Sequence, residues 1–226
     1  MKLSIVIPVF NEAATIQRAI QRVLEAPFEK ELIVVDDGST DGSRDMLRAM
    51  ADPRVQVSYH DRNQGKGASL RTAFSRVTGD IVIIQDADLE YHPRDYPALI
   101  GPILDGDADV VYGSRFLGGP HRVLFIWHAL GNQLVTFLAN LLYNVNFTDI
   151  ETGSKAFRRA VLDHITLKSS SFAFEAEFTA KVAKRKFRLF ETAISYVGRS
   201  YAEGKKISWR DGVVALWVLI KYRFVD

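Results

Sequence analysis

Over the first half of this chain two apolar periods exchange regularly, and that exchange limits the fold more than any other feature. Short runs rich in Val, Ile and Leu, at Leu3–Val9, Leu32–Val35, Val55–Tyr59, Ile81–Ile84 and Asp109–Tyr112, alternate with segments of helical spacing at Glu12–Leu24, Ser43–Met50, Ala68–Val77 and Tyr96–Leu104. Brief β-branched runs bounded by Gly, Pro and Asp read as buried strands, and the longer periodic segments read as helices. In Glu12–Leu24, for example, Ile16, Ala19, Ile20, Val23 and Leu24 share one face, with Asn11 as the expected N-cap. Strands separated by helices are joined by crossovers, so the expected fold is α/β, a mostly parallel sheet flanked by helices. No low-complexity linker or internal repeat divides the 226 residues, so a single domain over 1–226 is expected.

A parallel sheet of this kind binds ligands beyond the carboxyl ends of its strands. Two acidic turns fall there. Asp36-Asp37-Gly38-Ser39-Thr40-Asp41 follows Glu31–Val35, and Gln85-Asp86-Ala87-Asp88-Leu89-Glu90 follows Ile81–Ile84. Asp-x-Asp is common in turns and caps. Two carboxylates one residue apart can also share a hard divalent cation while leaving positions for phosphate oxygens, and a second acidic loop at the same edge favours that metal–diphosphate reading. The turn Asn63-Gln64-Gly65-Lys66-Gly67 matches neither the P-loop pattern nor the dinucleotide fingerprint, so it reads as a turn near a ligand rather than a phosphate cradle.

Composition removes several classes. A net charge of +2 with no dense basic block before Lys181–Lys186 gives no case for nucleic acid, and that run reads as a solvated helix end. With no cysteine there is no disulfide, thiolate metal site or cysteine nucleophile. The apolar start, Leu3–Val9, is too short for a signal peptide and is broken by Pro8, so a cytoplasmic protein is expected. The segment 123–147 lacks any charged residue, yet His128, Asn132, Thr136, Asn140 and Asn144 recur every fourth position. That polar stripe suits an interfacial or packed helix better than a membrane span. The last segment, 208–224, opens with Ser208-x-x-Asp211 and closes with Lys221 and Arg223, as a helix should. It suits either a core-packing role or a lipid surface.

The motifs Ser4–Glu12, Val34–Asp41, Asn63–Gly67, Asp86–Glu90, Gly113-Ser114-Arg115-Phe116, Asp149–Arg158 and Phe174-Glu175 follow one another in an order that resembles the inverting nucleotide-sugar glycosyltransferases of family 2. The likeness is greatest to the dolichol- and polyprenyl-phosphate mannose or glucose synthases. It implies a GT-A fold, a single Rossmann-like sheet, with C-terminal amphipathic helices here. It also implies a nucleotide-diphosphate sugar donor, Mg²⁺ or Mn²⁺, and a polyprenyl phosphate acceptor. Pro8, Phe10 and Glu12 would lie against base and ribose, with Val35 and Ala87 beside them, Asp37 accepting a base N–H and Lys66 in the turn near the donor. Asp86 would hold ribose or donor hydroxyls and take part in metal binding, while Asp88, helped by Glu90, would hold the metal. Arg115, Arg199, Lys205 and Lys206 are the implied cationic partners of the diphosphate, the last three on a loop, Tyr196–Lys206, whose glycines permit hinge motion.

A phosphate acceptor has a second pKa near roughly 6, so it is largely a dianion at neutral pH and needs no base. The alternative, a hydroxyl acceptor, requires a poised carboxylate. Asp149 is the first candidate, with Glu151 and Glu175 behind it. The helix after Arg115 offers His128, Asn132 and Gln133 where relatives commonly have basic and hydroxyl residues, which leaves the acceptor open. Membrane contact is expected to be peripheral. A sugar nucleotidyltransferase would show a Gly-rich basic loop after the first strand, and Pro8-Val9-Phe10-Asn11-Glu12 stands there instead.

Overall fold

Strand β1 (Leu3–Val9) lies between β2 (Lys30–Asp36) and β4 (Ile81–Ile84), with β3 (Val55–Tyr59) outside β2, and all four run parallel in the computed structural model. Residues 1–123, 125–200, 203–204 and 209–225 are described by it. Crossovers through α1 (Ile16–Glu25), α2 (Ser43–Arg48) and α3 (Lys66–Phe74) make this arrangement obligatory. Both faces of β1, β2 and β4 are buried, whereas β3 at the edge is partly exposed. Ile5, Ile7, Val34 and Ile83 pack with Ile16, Ile20 and Val23 of α1 on one side, while Val6, Ile33, Val82 and Ile84 pack with Leu70, Phe157, Phe174 and Phe178 on the other. A strand covered twice has no reason to alternate polar and apolar residues, hence the continuous runs.

The second half adds α4 (Tyr96–Leu104), β5 (Val110–Ser114), α5 (Ile126–Tyr143), β6 (Lys155–Arg158), α6 (Phe174–Lys184), β7 (Leu189–Ala193) and α7 (Trp209–Phe224), completing a seven-stranded sheet ordered β3-β2-β1-β4-β6-β5-β7. The expected mostly parallel sheet is present, with β6 antiparallel to both β4 and β5. Nothing in the chain's periodicity marked β6 or β7. The first is four residues long and carries Lys155 and Arg158 at its ends, and the second is only partly buried. The insertion of β6 has a consequence for function. Because it runs against β4, pairing Ile84 with Lys155, the loop that precedes it arrives at the carboxyl edge of β4.

Two local expectations are corrected. Helix α1 begins at Ile16 with Thr15 as N-cap, not Asn11. Asn11 instead has a left-handed φ of 52° and ties two loops together: its amide N–H donates to Ser39 Oγ (2.9 Å) and its Oδ1 accepts from Thr40 N (2.8 Å). The Lys181–Lys186 run is not a solvated end throughout. Lys181 is buried, pairing with Glu177 and donating to the Thr166 carbonyl, and Lys184 donates to the carbonyls of Tyr222 and Val225 at the end of α7. The polar stripe of α5 faces the protein. Asn140 brackets Phe147 through its backbone N–H and carbonyl (2.9 and 2.8 Å), Thr136 Oγ1 accepts from Ile150 N (3.3 Å), and Asn144 ends the helix at φ 54°. Among the described residues no helix is long and apolar enough to cross a membrane. The Ser208 cap lies outside the described residues.

Candidate active site

The carboxyl ends of β1, β2 and β4 carry the loops Phe10–Glu12, Asp37–Asp41 and Gln85–Glu90 side by side, as the parallel order requires. Pro8 lies opposite Val35 in the register of β1 and β2, Val35 and Ala87 are buried, and Phe10 is half-buried. Gln85 is buried and accepts a hydrogen bond from Tyr96 Oη (2.9 Å), which fixes the start of the acidic turn. Leu89 then takes a left-handed φ of 66°, a conformation that costs a side-chain-bearing residue roughly 1 kcal/mol and persists only where surroundings impose it. Asp88 Oδ1 accepts from Glu90 N (3.1 Å) across that turn.

The two aspartates have different partners. Asp86 pairs with Lys66 Nζ at 2.8 Å, and Lys66 also reaches Glu175 Oε1 at 3.2 Å. Lys66 is therefore a buried counter-ion of the acidic turn; burial opposes its charge, but Asp86 and Glu175 raise its pKa nonetheless. Asp88 lies 3.1 Å from Arg199, whose guanidinium also forks onto Glu12 (3.0 and 3.1 Å) and lies 3.6 Å from Glu90. Three carboxylates thus converge on one guanidinium. Burial, together with Asp86 and Glu90, pushes the Asp88 carboxyl up to about 7 against the pull of Arg199. A carboxylate held in excess negative charge is a site short of positive charge.

Glu90 also anchors the loop that brings Arg199. It accepts from Arg199 N (2.7 Å) and Tyr196 Oη (3.0 Å), and its carbonyl accepts from Val197 N (3.0 Å). Lys205 and Lys206 lie outside the described residues. Asp37 is buried beneath the neighbouring turn rather than open to a base: it accepts from Gln64 N (2.9 Å) and Gly65 N (2.7 Å) and contacts His60 Nδ1 (2.7 Å). The glycines of that turn serve packing. A Cβ on Gly65 or Gly67 would come within 2.3 Å of the Ser170 or Ser169 carbonyl oxygen.

The third wall is the loop before β6. Arg115 and Asp149 form a fork, Nε to Oδ2 at 2.6 Å and Nη2 to Oδ1 at 2.8 Å, and Asn132 Nδ2 adds a bond to Oδ1 at 2.8 Å. Burial alone would raise the Asp149 pKa, but Arg115 and Asn132 hold it below the usual carboxylate range. That is the wrong direction for a general base, so the base assignment to Asp149 is corrected to an ion-pair anchor, and Arg115 is engaged with it rather than standing free. Glu175 is likewise committed, to Lys155 and Lys66. Glu151 differs: burial and the charge of Glu175 push it up to about 7, and its Oε1 accepts no hydrogen bond among the described residues.

Residues that sequence reasoning passed over complete the frame. Tyr91 Oη accepts from Gly153 N (3.0 Å), Tyr91 and Tyr196 rings lie 5.5 Å apart, and the Arg115 guanidinium lies 5.2 Å from the Tyr196 ring. Glu191 of β7 accepts from Thr148 N and Asp149 N (2.9 Å each). Nothing local marks these groups, since each acts across long sequence distances. Gly153 is required by Asp86, whose Oδ2 would lie 2.1 Å from an added Cβ. Gly153→Ala is expected to displace Asp86, weakening nucleotide binding by about tenfold or more while costing about 1–3 kcal/mol of stability, measurable by calorimetric titration and urea unfolding. Wild-type nucleotide affinity in that variant would remove Asp86 from the site.

A mostly parallel sheet with acidic loops gathered at its carboxyl edge and a cation-carrying loop closing over them is the architecture of a GT-A glycosyltransferase. The chain belongs to glycosyl transferase family 2, whose model matches residues 4–166. It is similar to the undecaprenyl-phosphate mannosyltransferase of Micrococcus luteus, at 29% identity over 91% of this chain and 87% of that protein. It is also similar to the polyprenol monophosphomannose synthase of Mycolicibacterium smegmatis, at 29% identity over 89% of this chain and 79% of that one. A solved structure of glucosyl-3-phosphoglycerate synthase from Mycobacterium tuberculosis, in complex with Mn²⁺, uridine-diphosphate-glucose and phosphoglyceric acid, shares the fold. Its TM-score is 0.75 at 21% identity, over 100% of this chain and 80% of that one.

Proposed function

We propose that this glycosyltransferase moves a hexose, with inversion, from a nucleoside-diphosphate sugar to a polyprenyl phosphate at a membrane surface, using Mg²⁺ or Mn²⁺. The observation that carries the reading is the cluster of Glu12, Asp88 and Glu90 around Arg199, a site with more negative than positive charge. A donor arriving as a metal–diphosphate complex supplies the missing cation. Among the described residues no three metal-binding side chains converge closely enough to hold an ion by themselves. That fits a cation bound by Asp88 and otherwise by the diphosphate and water, since Asp86 is held by Lys66 and Glu90 by the loop. When bound, the metal would offset charge on the departing nucleoside diphosphate.

The chain's own groups do the rest. Glu12, with Pro8 and Phe10, would seat the nucleoside, Asp86 the ribose or sugar hydroxyls, and Arg199 would turn from Glu12 to the diphosphate as charge accumulates there. The acceptor half draws support from the two relatives named for polyprenyl substrates and from Asp149, whose pairing with Arg115 leaves it unfit as a base. A second reading, a hydroxyl acceptor, is favoured by one feature: Glu151 is pushed up to about 7 and is free to take a proton at Oε1.

The test is a panel of UDP- and GDP-hexoses with Mn²⁺, with and without a short-chain polyprenyl phosphate, following nucleoside diphosphate release. One donor should be turned over at least about tenfold faster when the lipid phosphate is present. Should a water-soluble alcohol be the better acceptor, and Glu151→Gln remove that activity, the second reading replaces the first.

A further inference from the structure

Between the Asp86 turn and the Arg115–Asp149 pair lies a buried cluster of charge that the transfer reaction leaves without a task. Lys66 Nζ stands 2.8 Å from Asp86 and 3.2 Å from Glu175 Oε1, while Glu175 Oε2 is held by Lys155. The loop before β6 wraps Lys155 Nζ, which donates to the carbonyls of Ile150 (3.2 Å) and Thr152 on either side of Glu151 and lies 4.8 Å from the Tyr112 ring. In the same loop Gly153 packs against the Asp86 carboxylate. Among the described residues the four carboxylates Asp86, Asp149, Glu151 and Glu175 meet three cations, Lys66, Lys155 and Arg115, and Glu191 behind Asp149 adds to the negative surplus. Glu151 is the member of that set with no ion pair among the described residues, its Oε1 buried and without a hydrogen bond.

We propose that Glu151 is a positioning residue of the donor site whose neutral, protonated form leaves Lys155 on Glu175 and, through it, Lys66 on Asp86. A surplus carboxylate in a buried cluster is costly, and a proton on the one group without a cation removes the surplus. Burial and the charges of Glu175 and Asp149 push Glu151 up to about 7, against the pull of Lys155 and Arg115. When that proton leaves to solvent, Lys155 is divided between two carboxylates. Glu175 then draws Lys66 toward its Oε1, which has no hydrogen bond of its own among the described residues, and Asp86 loses its counter-ion. An uncompensated Asp86 repels a nucleoside diphosphate.

This inference rests on Asp86 meeting the donor, and it separates the two acceptor readings by the sign of a pH dependence. A base for a hydroxyl acceptor works ionised, so turnover that depends on Glu151 would rise with pH. A residue that works protonated gives the opposite slope.

The experiment compares wild type with Glu151→Gln, which keeps the shape of the protonated acid and has no proton to lose, by calorimetric titration with UDP and GDP in Mg²⁺ at pH 6 and pH 8.5. The ratio of variant to wild-type affinity should rise about tenfold between those pH values, a ratio in which groups titrating in both proteins largely cancel. A second measurement uses wild type alone. At pH 8.5 nucleotide binding should take up a proton, read from the dependence of the binding heat on the ionisation enthalpy of the buffer. A flat affinity ratio, or binding without proton uptake at pH 8.5, would overturn the proposal. So would a variant-to-wild-type turnover ratio that falls as pH rises, which would make Glu151 the base. A rising affinity ratio in an enzyme that ignores polyprenyl phosphate would sink the acceptor reading alone, and transfer to polyprenyl phosphate with a flat ratio would sink the role of Glu151 alone.

Discussion

Asp88→Asn is expected to lower turnover by about a hundredfold or more while making the protein more stable at neutral pH. The loss follows from chemistry: an amide is a poorer ligand for a hard dication than a carboxylate, and removing one group that answers transition-state charge typically costs about 10²–10³ in rate. The gain in stability follows from the raised pKa of Asp88, about 7 in the fold because of burial and the nearby charges of Asp86 and Glu90. A carboxyl whose folded pKa exceeds its unfolded value of about 3.9 binds its proton more tightly when folded. Its ionisation therefore costs stability as pH rises from about 4 to about 7, and Asn abolishes that cost. The melting temperature of the variant should exceed that of wild type at pH 8, with the difference vanishing toward pH 4. Scanning calorimetry at both pH values, with initial rates alongside, checks both halves. Wild-type turnover with unchanged metal dependence would remove Asp88 from the metal site.

The second large effect is structural. Arg115→Ala leaves the Asp149 carboxylate, fully buried, without the guanidinium that forks onto it. Breaking a buried pair by removing one partner costs about 3–5 kcal/mol, mostly the penalty of the charge left behind. For a chain of 226 residues that corresponds to roughly 6–20 °C in melting temperature. Arg115→Lys should recover only part, because an ammonium cannot make the two parallel bonds. The pH dependence has the opposite sign to that of Asp88. With its folded pKa depressed by Arg115 and Asn132, Asp149 contributes stability that is present above the unfolded carboxylate range and is lost as pH falls through it. Urea unfolding of both variants at pH 7 measures the effect. A change in Arg115→Ala below about 1 kcal/mol would mean that the pair is only as weak as an exposed one, and that Arg115 is held for the ligand instead.

The chain's local chemistry was enough to specify its frame. Continuous β-branched runs can be buried only as doubly covered strands, so β1, β2, β4 and β5 were legible at nearly their observed bounds, and acidic turns following β2 and β4 had to lie at one edge because parallel strands end together. Partnership was not legible. Arg199 meets Glu12 across 187 positions, and Lys66, read as a loop cation, is buried against Asp86 and Glu175. Asp149 has the residue type of a base and the environment of an anchor. Helix α5 shows the same division: its fourfold polar spacing was plain, but whether that stripe met water or protein depended on a loop, Phe147–Ile150, whose backbone groups needed partners. Period and propensity act between neighbours in the chain, so sequence alone determined the first five strands, the helices between them and the edge that carries the site. Charge pairing and burial act between neighbours in space, so only the tertiary structure decided which carboxylate pairs with which cation and which face of α5 is turned outward.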